Sequence, residues 1–261
     1  PCFKCDMCQK KYYQKCFSYS YYGSRQNGGY SEYLNVKEWN LIKIPHNVSL
    51  DDAALLEPMS VVLHALKILN IKSIKNLTIF GAGFLGILSA KLAKEINSKV
   101  IINLVDRNKF KLSIGKEYVD KTILNTNTNN LNKLFEKKTI SNVLETTGSS
   151  NMFQKTIDIA SPGGNILWLG NISSNLELNK KTVSSILRKE LTIKGSWNSS
   201  FTKSIKDDWS EALQFLKKGF SPSSLVSHNT DLYNLKNLLQ KIKNKKKYKN
   251  FRYLKGILKN D

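Results

Sequence analysis

The stretch "LTIFGAGFLG" at 77–86 constrains this chain more than any other part of it. An apolar, strand-like run leads into Gly81, Gly83 and Gly86, spaced G-x-G-x-x-G, and "FLGILSAKLAKEI" continues with helical apolar spacing. The next apolar run, "KVIINLVD", ends on Asp106, twenty residues after Gly86. Each component has a physical reason. Gly81 permits a tight turn, Gly83 lets the backbone approach a pyrophosphate, Gly86 allows the helix to pack closely on the sheet, and free N–H groups at the helix start attract the anion. Asp106 would accept hydrogen bonds from an adenosine ribose and repel a 2′-phosphate. The motif therefore favours NAD over NADP, with the neighbouring Arg107 arguing the other way. The alternative is a glycine-rich turn in an α/β fold that binds nothing. Strand, helix, second strand and terminal acid in sequence weigh against it.

The surrounding pattern agrees. From Asn76 onward, strand-like and helix-like segments alternate: "LTIF", "FLGILSAKLAKEI", "KVIINLVD", a helical "NKFKLSIGKEY", and buried-type strands at "NVLE", "NILWLG" and "LTIKGS". Such alternation predicts an α/β fold with a doubly wound parallel sheet. Further on, "DDWSEALQFLKKG" reads as an amphipathic helix ended by Gly219, and "DLYNLKNLLQKIKN" as another capped by Thr230 or Asp231. "NTNTNN" at 125–130 is polar enough for a surface loop. Before the sheet, "QNGGYSEYLNV" and "NLIKIPHNVS" suggest a glycine turn and short strands, hence a small β domain across 17–50. Ser49 or Asp51 can cap a helix through "DDAALLE". Beyond Pro58, Val61, Val62, Ala65, Leu66 and Leu69 share one helical face.

The four cysteines all lie in the first sixteen residues, at Cys2, Cys5, Cys8 and Cys16. A chain of 261 residues can bury a real core without disulfides. Four thiolates this close, with no other cysteine to pair with, suit a tetrahedral metal better than cross-links. Iron–sulfur ferredoxins begin with the same two C-x2-C steps, but their fourth cysteine follows after three residues and precedes proline. Here it follows after seven and precedes Phe17. Zinc is the expected ion, and a tetrathiolate shell leaves no position for substrate, so the site reads as structural.

The formal charge of +21 raises the possibility of a zinc-bearing module that binds nucleic acid. The basic residues are spread along the chain and mixed with apolar ones even in "KIKNKKKYKNFRYLKGILK", which reads as a solvated face. A nucleic-acid role would also leave the glycine motif and Asp106 without purpose, so no nucleic-acid partner is expected. No apolar run reaches the roughly 18–20 residues that span a bilayer, and no membrane partner is expected. A soluble, cytoplasmic protein is the expectation. Glu57, in "LLEPMSVVLHA", is a carboxylate in an apolar stretch, and residue physics alone leaves it as an ordinary helix glutamate. His64 reads as a packed side chain, and His46 and His228 are assigned no role.

A four-cysteine lobe, a small β domain, and "EP" leading into a long helix and a Rossmann unit resemble the zinc-dependent medium-chain alcohol and polyol dehydrogenases across essentially the whole chain. The stretches "GSRQNGGYSEY", "LLEPMSVVLHA" and "ILRKELTIKGSW" are most similar to polyol-phosphate members of that family. The resemblance implies a partial GroES-like domain over 1–66 with the zinc lobe at 2–16, an NAD-binding Rossmann domain over 67–200, and a segment, 201–261, that returns to the catalytic domain. It implies oxidation of a secondary hydroxyl of a sugar alcohol, such as galactitol 1-phosphate, with NAD as acceptor. Other polyols or L-threonine are alternative substrates, and a homodimer or homotetramer is the implied assembly.

By the same matching, Leu85 and Gly86 lie along the pyrophosphate, and Asp106 and Lys111 at the ribose. Leu169, Gly170 and Asn171 fall beside the nicotinamide, and Asn198 and Ser199 near substrate. Glu57 takes the place of a further ligand to a second, catalytic zinc or, as in some relatives, of a water or substrate contact. The family's remaining ligands to that zinc, a Cys and a His-Glu pair, come ahead of the cysteine lobe. The chain starts at Pro1, immediately before the lobe, so an N-terminally incomplete chain without a full catalytic site is expected. Asn198-Ser199 stands where sorbitol dehydrogenases carry Arg-Tyr, and Tyr118 where relatives often have glycine. Arg25 or Lys203 could contact a substrate phosphate.

Overall fold

The computed structural model describes residues 1–126, 135, 140–244, 247 and 251–259. The chain divides into two units: Pro1–Ser60 with Ser199–Asp261, and Val61–Asn198. The sequence-based boundaries fall at 66/67 and 200/201.

The central unit is built on six parallel strands. They are β1 (Asn76–Phe80), β2 (Ile101–Asp106), β3 (Lys121–Leu124), β4 (Ile140–Glu145), β5 (Ala160–Trp168) and β6 (Thr192–Gly195), in the order β3-β2-β1-β4-β5-β6. Strand order reverses at β1, which pairs with β2 on one side and β4 on the other. Such a switch point opens a crevice at the carboxyl ends of the strands. The middle strands are apolar almost throughout because both faces are covered: Leu77, Ile79, Ile102, Leu104, Val143, Leu144 and Leu167 have no exposed surface.

Flanking helices supply that cover. The helix Phe84–Ile96 buries Ile87, Leu88, Ala90, Leu92 and Ala93. Asn108 caps the short helix Lys109–Gly115 by accepting a hydrogen bond from the Lys111 N–H at 3.1 Å. The helix Ser150–Ile159 ends under Lys189, whose ammonium donates to the carbonyls of Asp158 and Ala160 at 2.7 and 2.9 Å. Asn125, expected in a surface loop, is buried, and its N–H donates to the Asp106 carbonyl at the end of β2. Residues 127–130 of that expected loop lie outside the described residues.

In the other unit, Ser49 caps Leu50–Ala53 by accepting from the Asp52 N–H, and Asp52 in turn receives hydrogen bonds from Ser221 Oγ and the Ser223 N–H. Asp207 caps the helix Asp208–Lys217, and β7 (His228–Thr230) pairs in parallel with β8 (Gly256–Leu258). The last helix begins later than expected, at Leu235. Asp231 closes the turn before it, accepting from the Asn234 N–H, while Thr230 belongs to β7.

The small β domain expected across 17–50 is not formed as strands. Between Phe17 and Ser49 there is one isolated bridge, Tyr22 with Gln26, and one 3-10 turn, Glu38–Asn40. A strand needs a neighbour to satisfy its N–H and C=O groups, and no described strand pairs with this segment. Its aromatic and aliphatic side chains are correspondingly exposed, among them Phe17, Tyr30, Tyr33 and Leu41.

Candidate cofactor and metal sites

The cysteine lobe is a compact loop around four sulfurs. Cys2, Cys5, Cys8 and Cys16 bring their Sγ atoms within 4.8 Å of one another, with Cys8 and Cys16 buried. Two edges of this cluster, Cys2–Cys8 and Cys5–Cys16, measure 3.9 Å. Zinc–sulfur bonds of about 2.3 Å in a tetrahedron require sulfur–sulfur edges of about 3.8 Å, so the four donors fit that ion. The backbone prepares the thiolates: N–H groups of Cys2 and Cys5 point at Cys16 Sγ and Cys2 Sγ. Backbone donors lower the Cys5 pKa to about 6, while burial raises that of Cys8 to about 11. A dication at the centre would favour the thiolate at all four. Behind the lobe, Phe3, Tyr13 and Trp39 pack edge to face, and Trp39 continues to Phe201.

The second candidate site lies at the carboxyl ends of β1, β2, β4 and β5. Gly81 leaves β1 at φ +104°, a conformation open to glycine, and a Cβ there would meet Thr146 Oγ1 at 2.5 Å. At Gly86 a Cβ would fall 1.8 Å from the Gly81 carbonyl oxygen, so the helix packs on the turn through bare backbone. Gly83 is different: a Cβ there would meet nothing within 4 Å. That open space, over a helix N-terminus with no side-chain cap, leaves room and N–H donors for a phosphate group. Leu85 is half-buried in the first turn, next to the buried Gly86.

Asp106 ends β2 with its side chain turned to the glycine turn. One carboxylate oxygen accepts from the Ala82 N–H at 2.6 Å and the other from the Asn108 N–H at 2.8 Å. The acid thereby fixes the loop, and each oxygen retains a lone pair for a hydroxyl donor. Lys111 lies in the first turn of the adjacent helix. Leu169 and Gly170 follow β5, both donating their N–H to the Glu145 carbonyl, at 2.9 and 3.0 Å, and Asn171 is exposed. Glu145 itself was not anticipated. It is fully buried at the end of β4, and its "ETTG" context, an acid closing an apolar run, was the available signal.

The remaining residues predicted from the sequence are Glu57, Asn198, Ser199, Arg25 and Lys203. Glu57 sits in the first turn of Leu56–Ile68; it keeps exposed surface, yet desolvation by the surrounding protein raises its pKa against the pull of Lys255. Its carbonyl accepts from Ser60 Oγ, which hydrogen-bonds the buried Ser199 Oγ at 2.8 Å. Asn198 takes a left-handed backbone at φ +51°. Arg25 donates to the Tyr19 carbonyl between the Tyr19 and Tyr21 rings, and Lys203 donates to the Glu38 carbonyl over Trp39. Among the described residues, the cysteine lobe alone gathers three or more metal-ligating side chains. Glu57 therefore does not complete a second metal site with them. No helix among the described residues is long and apolar enough to cross a membrane.

Parallel strands in this order, a glycine turn at the switch point and a four-thiol centre define a doubly wound α/β protein of dinucleotide-binding topology with a metal lobe. Comparison with known proteins narrows the class. The family model for zinc-binding dehydrogenases matches residues 85–218, and that for the alcohol dehydrogenase GroES-like domain matches residues 2–46. Galactitol 1-phosphate 5-dehydrogenase of Escherichia coli K12 is 31% identical over 233 residues, covering 87% of this chain and 67% of that enzyme. The crystal structure of galactitol-1-phosphate dehydrogenase from Escherichia coli superposes with a TM-score of 0.85 at 29% identity, over 94% of this chain and 72% of that one. A short chain alcohol dehydrogenase from E. coli CFT073, complexed with NADH, shares the fold with a TM-score of 0.85 at 21% identity, over 99% and 74%. The chain belongs to the zinc-binding dehydrogenase family. It spans about two thirds of the length of the galactitol enzyme.

Proposed function

We propose that this chain is the NAD-binding and structural-zinc part of a polyol-phosphate dehydrogenase, which oxidises a secondary hydroxyl of a sugar alcohol phosphate, galactitol 1-phosphate foremost, to a keto-sugar phosphate. The observation that carries the cofactor reading is the open space over Gly83 beside an Asp106 that ends β2. Gly81, Gly83, Leu85 and Gly86 would hold the pyrophosphate, Asp106 and Lys111 the ribose, and Leu169, Gly170 and Asn171 the nicotinamide. When bound, NAD supplies the acceptor for two electrons and one proton from the substrate carbon. The chain's own residues bind and orient it: the uncapped helix start faces the diphosphate, and Asp106 disfavours a 2′-phosphate by charge. The cysteines would hold one zinc in a closed shell that has no part in chemistry.

Substrate choice rests on the 31% identity with the galactitol enzyme and on Asn198-Ser199 in place of an Arg-Tyr pair. Assay of the whole protein with NAD should give NADH production with galactitol 1-phosphate at a higher kcat/KM than with sorbitol or L-threonine. Equal or faster turnover of either would overturn the substrate assignment. A second reading follows from the single metal cluster among the described residues: residues 1–261 alone bind zinc and cofactor without turnover. Cofactor binding with no NADH production from any polyol would select it.

A further inference from the structure

Glu145 is a fully buried carboxylate on an apolar strand, and it has no place in the binding roles above. One of its carboxylate oxygens accepts from the Thr147 N–H at 2.7 Å and from the Thr147 hydroxyl, and the other from the Gly148 N–H at 3.2 Å. Its carbonyl accepts from Leu169 and Gly170. One residue thus anchors the loop after β4 through its side chain and the loop after β5 through its backbone.

The two loops are pressed together at the same point. A Cβ on Gly170 would lie 2.8 Å from Glu145 Oε2, and one on Gly148 would lie 2.1 Å from the Asn171 carbonyl oxygen. Ser173 closes the contact, its N–H and hydroxyl both donating to the Gly148 carbonyl, at 3.0 and 3.1 Å. Thr147 and Gly148 both act as donors to the carboxylate, which suits its charged form. Desolvation holds the Glu145 pKa above the ordinary carboxylate value, and the donors from Thr147 and Gly148 offset only part of that rise.

We infer that Glu145 is a positioning residue: it locks the loop after β4 to the loop after β5 and sets a buried negative charge directly behind Gly170. This rests on the proposal that Leu169, Gly170 and Asn171 lie beside the nicotinamide. The oxidised ring carries a positive charge that the reduced ring lacks. A fixed anion behind that loop strengthens binding of NAD⁺ relative to NADH, because Coulombic attraction is weakly screened in a buried site.

The test compares wild type, Glu145→Gln and Glu145→Asp, each first shown folded by thermal unfolding. Dissociation constants for NAD⁺ and NADH are measured by titration, and amide exchange at 169–173 is measured without cofactor. Glu145→Gln should weaken NAD⁺ relative to NADH by about fivefold or more and speed exchange at Leu169 and Gly170. Glu145→Asp keeps the charge, so it should preserve the affinity ratio while loosening the loops. An unchanged ratio in Glu145→Gln, or the same loss in Glu145→Asp, overturns the electrostatic role. If Glu145→Gln does not fold, the Glu145→Asp ratio decides. If wild type binds neither nucleotide, the cofactor reading falls, and unchanged exchange in both variants then overturns the loop lock as well.

Discussion

The parallel sheet of residues 61–198 and the lobe of residues 1–49 are held together by different means. In the sheet, order comes from area removed from water: Leu77, Ile79, Leu104, Val143 and Leu167 are wholly buried, and every interior strand has two neighbours. In the lobe, few apolar side chains are buried and ladder hydrogen bonds are lacking. Its organising features are four sulfurs within 4.8 Å of one another and an aromatic cluster around Trp39. A sheet core tolerates local damage in proportion to the volume lost. A four-ligand centre fails as a unit, since removing one thiolate removes the ion.

The largest expected effect therefore belongs to the lobe. Structural zinc in small peptides contributes on the order of 10 kcal/mol of apparent folding free energy. The purified chain should contain one zinc, and Cys5→Ser or chelation should remove it. Residues 1–49 should then become open to limited proteolysis while the sheet unit keeps its far-ultraviolet dichroism. Loss of order in both units together would contradict the distinction. Next in size is Leu104→Ala, which empties a site with no exposed surface at the middle of β2. It should cost about 2–5 kcal/mol in denaturant unfolding of the sheet unit and leave zinc content unchanged.

The smallest effect concerns Asp52, where a carboxylate substitutes for packing. Burial pushes its pKa up, but hydrogen bonds from Ser223, Ser49 and Ser221 outweigh that and hold it below the ordinary carboxylate value. A pKa lower in the folded than in the unfolded chain contributes stability at neutral pH, which is lost as pH falls through the folded value. Stability of wild type should decline in the acid range below about pH 4, and Asp52→Asn should decline less over that window. Parallel pH profiles would remove Asp52 from the account.

The same contrast explains what could be read from residues alone. The sheet was legible because apolar period and glycine spacing are local signals: β1, the Gly81 turn, the following helix and Asp106 occupy one continuous stretch. The sulfur cluster was legible for the same reason, its ligands falling within sixteen residues. The segment 17–49 falls largely within the match to the GroES-like domain, yet it forms no named strand: alternation in "YSEYLNV" reports a capacity to pair, and pairing depends on a second strand that no described segment supplies. Glu145 escaped notice because an acid at a strand end usually faces water. Only the return of Thr147 and Gly148 over its side chain makes it interior. Asp106 was anticipated as a ribose acceptor, and its hold on the Ala82 N–H emerged only from the three-dimensional turn.

On the proposed reading, NAD binds in the crevice at Gly83 and Asp106. Fluorescence titration of the chain with NADH and NADPH tests it most directly. NADH should bind saturably at one site per chain and about tenfold or more tighter than NADPH, with Asp106→Ala narrowing that gap. Absence of saturable NADH binding, or a preference for NADPH, would contradict it.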